Sequence, residues 1–268
     1  MDDTGHGNPD HRNLDYRNLF DLTGKRAVVV GGAGGIGREL VAGLVAFGAE
    51  VVVADRDLAA AQEVTSTLEG ARAYELDVLA PQAIPRAAEA LDPVDVLVLT
   101  AATNIRKRMV DYTPEEFERV VALNLRSSFE LISAFGARMA QRGSGSIVAF
   151  TSIRAVTVEP GQGAYAATKA GLMQLVRTAA AELGPDGVRV NAVAPGVVET
   201  PLTEQIRANP EWGQAYSDKS ALGRWSRPDE LVGAVVYLAS EASSFVTGSQ
   251  LFVDGGWTAI DGRYTPPT

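Results

Sequence analysis

The chain predicts an α/β fold, a doubly wound parallel sheet with helices on both faces, and three observations lead there. From Asp21 onward, short runs of Val, Ile, Leu and Ala alternate with helical stretches; continuous apolar strands of this kind belong to parallel sheets buried on both sides. A glycine cluster, Gly31-Gly32-Ala33-Gly34-Gly35-Ile36-Gly37, falls at the first strand-to-helix junction. Finally, 268 residues with 46% hydrophobic content can build one large core, and no repeat, low-complexity tract or linker divides them.

The elements follow in order. Residues 1–20 are rich in Asp, Asn, Gly and Arg without a sustained period and read as a mobile tail, or as an arm anchored on a neighbouring subunit by Leu19 and Phe20. Residues 21–268 read as a single domain. Ala27–Val30 is an all-apolar strand, and the helix after the glycines runs to about Phe47, with Gly48 as its C-cap residue. Val51–Ala54, Ala73–Leu76 and Val94–Leu99 are strands, separated by helices over Leu58–Glu69 and Gln82–Ala90. After Pro114 one long helix is expected to about Gln141, then a strand over Ile147–Thr151 and a helix from near Ala164 to Leu183. Arg189–Ala194 is a strand, Asp229–Ser240 a helix and Gln250–Val253 the last strand. The stretch 200–220 reads as a lid over the substrate.

Composition excludes whole classes of chemistry. Without cysteine there is no disulfide, thiolate nucleophile or cysteine–zinc site, and the only histidines, His6 and His11, lie in the polar N-terminal stretch. A serine hydrolase triad or a histidine-ligated metal has no residue to use, so no metal is expected. The formal net charge of −9 argues against nucleic acid and anionic membranes as partners. With no apolar run long enough to span a bilayer and no signal-peptide core, a soluble cytoplasmic protein is expected.

Acid–base work must therefore fall to tyrosine, lysine or a carboxylate, and one stretch offers it. Tyr165 and Lys169 are four residues apart and share a helix face, with Ser152 at the end of the preceding strand. A nearby ammonium favours a phenolate and draws its pKa down, so that the phenol can exchange a proton with an alcohol oxygen that Ser152 also hydrogen-bonds. Upstream, Gly31, Gly34, Gly35, Ile36 and Gly37 form a strand–turn–helix phosphate cradle, where glycines admit the pyrophosphate to the helix N-terminus. Asp55, about twenty residues on at the tip of the second strand, suits both ribose hydroxyls and repels a 2′-phosphate, so NAD is expected over NADP. The neighbouring Arg56 is the one basic residue that could stack on adenine or reach a phosphate.

Together these motifs resemble the short-chain dehydrogenase/reductase family, over Leu22 to Trp257. The glycine loop is similar to the family's TGxxxGxG with Val30 in place of Thr, and Tyr165-x-x-x-Lys169 with Ser152 thirteen residues ahead has the family's spacing. The resemblance implies a Rossmann fold, hydride transfer at a carbinol carbon, Asn124 as the fourth catalytic member, and a homotetramer. It implies that the long helix and the Tyr165 helix pair in one interface and the last strand in another. Further cofactor contacts implied are Asp77 and Val78 toward the adenine, Ala101 through its backbone, and Pro195, Gly196, Val198 and Thr200 toward the carboxamide. Tyr165 and Lys169 would hold the nicotinamide ribose as well. One departure stands out: Leu99-Thr100-Ala101-Ala102 replaces the usual Asn-Asn-Ala-Gly, while Val30 lacks the hydroxyl that ties the glycine loop to this segment.

For the substrate wall, Arg106 and Arg154 suit a carboxylate or several hydroxyls, and Glu159 and Gln162 suit sugar hydroxyls. The alternative for the arginines is ordinary ion pairing. The pattern is similar to the family's sugar, polyol and sugar-acid dehydrogenases, such as gluconate 5-dehydrogenase. A bulky apolar alcohol or 3-oxoacyl thioester is the second reading, kept open by Trp212 and Tyr216. The third is a non-catalytic NAD-binding sensor.

Overall fold

The computed structural model describes residues 15–261. Seven strands, β1 Arg26–Val30, β2 Glu50–Asp55, β3 Ala71–Glu75, β4 Val96–Leu99, β5 Gly145–Phe150, β6 Val188–Pro195 and β7 Gln250–Val253, form one parallel sheet in the order β3-β2-β1-β4-β5-β6-β7. The helices are α1 Gly35–Ala46, α2 Leu58–Thr65, α3 Ala83–Leu91, α4 Pro114–Val121, α5 Ser127–Arg142, α6 Gly163–Leu183, α7 Glu204–Arg207, α8 Pro210–Lys219 and α9 Val232–Ala239.

Alternation along each strand splits the core into two layers. In β1, Val28 and Val30 pack with α3, α5 and α6 through Ile84, Leu131 and Leu172. Ala27 and Val29 face the other way, with Leu40, Ala61 and Val235 of α1, α2 and α9. Both faces are covered, which is why the strands read as unbroken apolar runs. β2 and β3 lie to one side of β1 and β4 to the other, so a crevice opens at the carboxyl ends of β1 and β4, where such sheets bind ligands.

Three expectations need correction. The stretch assigned to the N-terminal tail includes a 3₁₀ turn at Tyr16–Phe20, closed by Asn18 and Asp21 amides bonding back three residues; residues 1–14, with His6 and His11, lie outside the described residues. The helix expected to reach Glu69 ends at Thr65, because Thr65 and Ser66 turn their hydroxyls back onto the carbonyls of Gln62 and Glu63. The long helix from Pro114 is interrupted by a π turn at Ala122–Arg126, where Ser127 and Ser128 donate to the carbonyls of Leu123 and Asn124. The stretch 200–220 is built largely of two helices, α7 and α8, and Tyr216 of α8 is buried. Among the described residues no helix is long and apolar enough to cross a membrane.

Candidate active site

The β1–α1 turn opens a cavity of about 420 Å³ at the crevice. Its wall includes Gly31, Gly34, Gly35, Ile36, Gly37, Asp55, Arg56, Asp77, Val78, Ala101 and Thr200 from the expected set. Two glycines are obligatory. Gly31 has φ +80° and a Cβ there would lie 2.7 Å from the Ala101 amide nitrogen, while a Cβ on Gly37 would lie 2.2 Å from the Gly31 carbonyl. The N-cap residue Gly34 has no side chain to satisfy the first-turn amides of α1, which leaves those donors for an anion. Asp55 is half-buried on the wall; its carboxylate accepts from the amides of Ala33 (3.1 Å) and Asp57 (3.1 Å), which fixes it beside the glycine turn. These features fit a dinucleotide.

Of the expected cofactor contacts, Tyr165, Lys169, Pro195, Gly196 and Val198 do not line that cavity. Val198 is buried in the core, and Gly196 packs against the backbone of Asp254, where a Cβ would come within 2.8 Å. Sequence reasoning misses Arg119 and Leu123 on the wall. Both sit on a helical stretch where local pattern marks only solvated and core faces. The hydroxyl absent at Val30 is supplied from the other side. Thr100 Oγ1 donates to the carbonyls of Val30 (2.8 Å) and Gly31 (3.1 Å), tying the segment after β4 to the glycine turn.

Ser152, just past the end of β5, hydrogen-bonds Tyr165, which stands with Lys169 on the first turns of α6. Lys169 is buried, donates to the Phe150 carbonyl (2.7 Å), and holds its ammonium 5.6 Å from the centre of the Tyr165 ring. Burial lowers its pKa to about 8. The balance on Tyr165 differs from expectation: burial dominates and raises the phenol above its ordinary value, while hydrogen bonding to Ser152 and then the charges of Arg154 and Arg106 draw it down. Asn124 is fully buried on the π turn. Its amide accepts from the Thr103 N–H (2.8 Å) and donates to the Thr103 carbonyl (2.9 Å) and to Thr168 (3.2 Å), so it clamps the segment after β4 onto α6.

The four substrate-wall candidates form one cluster around Glu159. Arg154, only 7% exposed at its side chain, reaches Glu159 at 2.5 Å, and Arg106 reaches its other oxygen at 3.4 Å. Gln162 and the Tyr216 hydroxyl of α8 donate to the same carboxylate. Glu159 is thus occupied in holding its neighbours together, which corrects its expected role as a direct holder of sugar hydroxyls. The guanidinium of Arg154 lies 5.5 Å from the Trp257 ring and that of Arg106 lies 5.2 Å from Trp212, with Lys219 5.8 Å from Trp257. Trp212, Tyr216, Trp225 and Trp257 pack together behind these cations. Trp225 and Trp257 are further residues that sequence reasoning misses, since an isolated Trp reads as core.

Known proteins are similar to this chain over most of its length. A family model described as enoyl-(acyl carrier protein) reductase matches residues 31–258. Galactitol 2-dehydrogenase (L-tagatose-forming) of Cereibacter sphaeroides is 38% identical over 252 residues, covering 91% of this chain and 99% of that protein. Gluconate 5-dehydrogenase of Gluconobacter oxydans is 33% identical over 253 residues, covering 91% and 99%. The crystal structure of a gluconate 5-dehydrogenase from Burkholderia cenocepacia in complex with NADP and tartrate superposes with a TM-score of 0.87 at 31% identity, over 91% of this chain and 98% of that one.

Proposed function

The chain belongs to the short-chain dehydrogenase/reductase family, and from that membership we propose that it oxidises a sugar-type secondary alcohol, a sugar, polyol or sugar acid, with NAD. The observation that carries the reading is the grouping of Ser152, Tyr165 and a buried Lys169 at the same carboxyl edge of the sheet where the glycine-cradled cavity opens. A bound nicotinamide ring supplies the hydride acceptor. Tyr165 takes the alcohol proton in oxidation and returns it in reduction, and Ser152 hydrogen-bonds the same oxygen. Lys169 holds positive charge 5.6 Å from the centre of the phenol ring and would hold the hydroxyls of a nicotinamide ribose. Asn124 keeps the segment after β4 and α6 in register, so the catalytic groups are pre-organised.

NAD is preferred on the strength of Asp55, whose fixed carboxylate on the cavity wall repels a 2′-phosphate. Relatives solved with NADP make this the sharpest point to measure. The wild type should give a kcat/KM with NAD at least tenfold above that with NADP, and Asp55→Ser should narrow the ratio; equal use of NADP by the wild type overturns the preference. Three cations, Arg106, Arg154 and Lys219, against the single carboxylate of Glu159 favour a sugar acid within the substrate class. The aromatic side chains of α8, Trp212 and Tyr216, pack into a cluster with Trp225 and Trp257 and brace the cations from behind. Tyr165→Phe should abolish turnover and leave NAD affinity near normal. Retained turnover removes Tyr165 from its role, and NAD binding without turnover of any alcohol supports a sensor instead. A homotetramer completes the proposal, through α5 and α6 in one interface and β7 in the other.

A further inference from the structure

Glu159 fixes the direction of a hydrogen-bond chain that ends on an unused acceptor. Its carboxylate, held by two guanidiniums, only accepts, so Gln162 must present Nε2 to it. That orientation turns Gln162 Oε1 toward Asn104, which must in turn present Nδ2, at 3.0 Å. The other end of the Asn104 amide, Oδ1, is buried without a hydrogen-bond partner. Flipping Asn104 would face two carbonyl-type oxygens, and flipping Gln162 would face an amide oxygen to a carboxylate, so the chain cannot relax to satisfy it. A buried acceptor of this kind is rare unless a ligand or water donates to it.

The location is informative. Asn104 follows Thr103, which lines the nucleotide cavity and is clamped by Asn124, and precedes Arg106 of the Glu159 cluster. Gln162 lies three residues before Tyr165, at the start of α6. The chain therefore joins the two segments that flank the phenol. We infer that Asn104 Oδ1 accepts a hydrogen bond from a second hydroxyl of the substrate, making Asn104 a specificity-determining residue that selects polyhydroxylated over monohydric alcohols. This rests on the proposed oxidation of a sugar-type alcohol and narrows its substrate class.

The test measures kcat/KM for a hexitol and an aldonate and for their monodeoxy analogues, in the wild type and in Asn104→Leu. Loss of one particular hydroxyl should cost the wild type at least tenfold. Asn104→Leu should erase that penalty, handling parent and deoxy analogue alike, mainly through KM, while the analogue itself stays within about threefold of its wild-type value. Should Asn104→Leu fail to fold, Asn104→Ser, too short to reach, is read the same way. A variant that depresses every substrate equally assigns Asn104 a purely structural role and overturns the inference, as does wild-type turnover in which no deoxy position is penalised. If no alcohol is turned over, the reading of the site itself falls first.

Discussion

Tyr165 stands between opposing pulls, and their balance is testable. Burial holds the phenol up, while Ser152, Arg154 and Arg106 draw it down. Removing the Arg154 charge in Arg154→Gln should raise the phenol further, so the rise of oxidation kcat/KM with pH should move to more alkaline pH. A profile that stays in place detaches Arg154 from the proton-transfer step. Lys169 carries a different cost. An unfolded lysine keeps its proton to about pH 10.5, whereas the folded one releases it near 8. Below 8 the buried ammonium destabilises the fold in full, and between 8 and 10.5 the unfolded chain binds more protons, so the penalty is relieved as pH rises. Lys169→Met should therefore stabilise the protein by about 1–3 kcal/mol at pH 7, net of the lost Phe150 hydrogen bond, with the gain shrinking by pH 10 while turnover is abolished. Urea unfolding at the two pH values reads the sign, and a destabilised variant at pH 7 refutes the account.

Among the elements, the segment after β4 has the most connections. Thr100 ties it to the glycine turn, Asn124 clamps Thr103 to α6, and Asn104 joins the Glu159 cluster. Thr100→Val keeps the shape and deletes the donor, leaving the Val30 carbonyl without its side-chain partner. It should cost about 1 kcal/mol of stability and weaken cofactor binding several-fold, measurable by calorimetric titration with NAD. Unchanged affinity would mean that the turn is rigid without this tie. The π turn belongs to the same scale: it sets the side chain of Asn124 toward Thr103 and Thr168, across a break that an unbroken α-helix over 114–141 would not contain.

For the whole molecule, apolar surface remains where the proposed tetramer needs it. Phe129 of α5 is 54% exposed beside a groove shared with Leu175 and Thr178 of α6, and Leu251 and Phe252 are partly exposed on the edge strand β7. An open edge strand bearing large apolar side chains calls for a partner. Size-exclusion chromatography with light scattering should give four copies, and Phe129→Glu should reduce them to two. A wild-type monomer rejects the assembly.

The alternation of buried strands and helices, the glycine turn, and the shared face of Tyr165 and Lys169 are all legible in the order of the residues. Each is a short-range matter: side-chain period, the backbone freedom of Gly31 and Gly37, and a spacing of one helical turn. Which distant groups meet is settled by packing. Glu159 is bound by Tyr216, 57 residues away, and by Arg106, 53 residues away in the other direction. The repair of the missing Val30 hydroxyl comes from Thr100, 70 residues along the chain. The pull on the phenol is likewise a sum over burial and charges from separate segments rather than a property of the Tyr–Lys pair. Local pattern encodes which face of an element is apolar, but the pairing of polar groups across elements depends on the packed arrangement of the whole sheet and its loops.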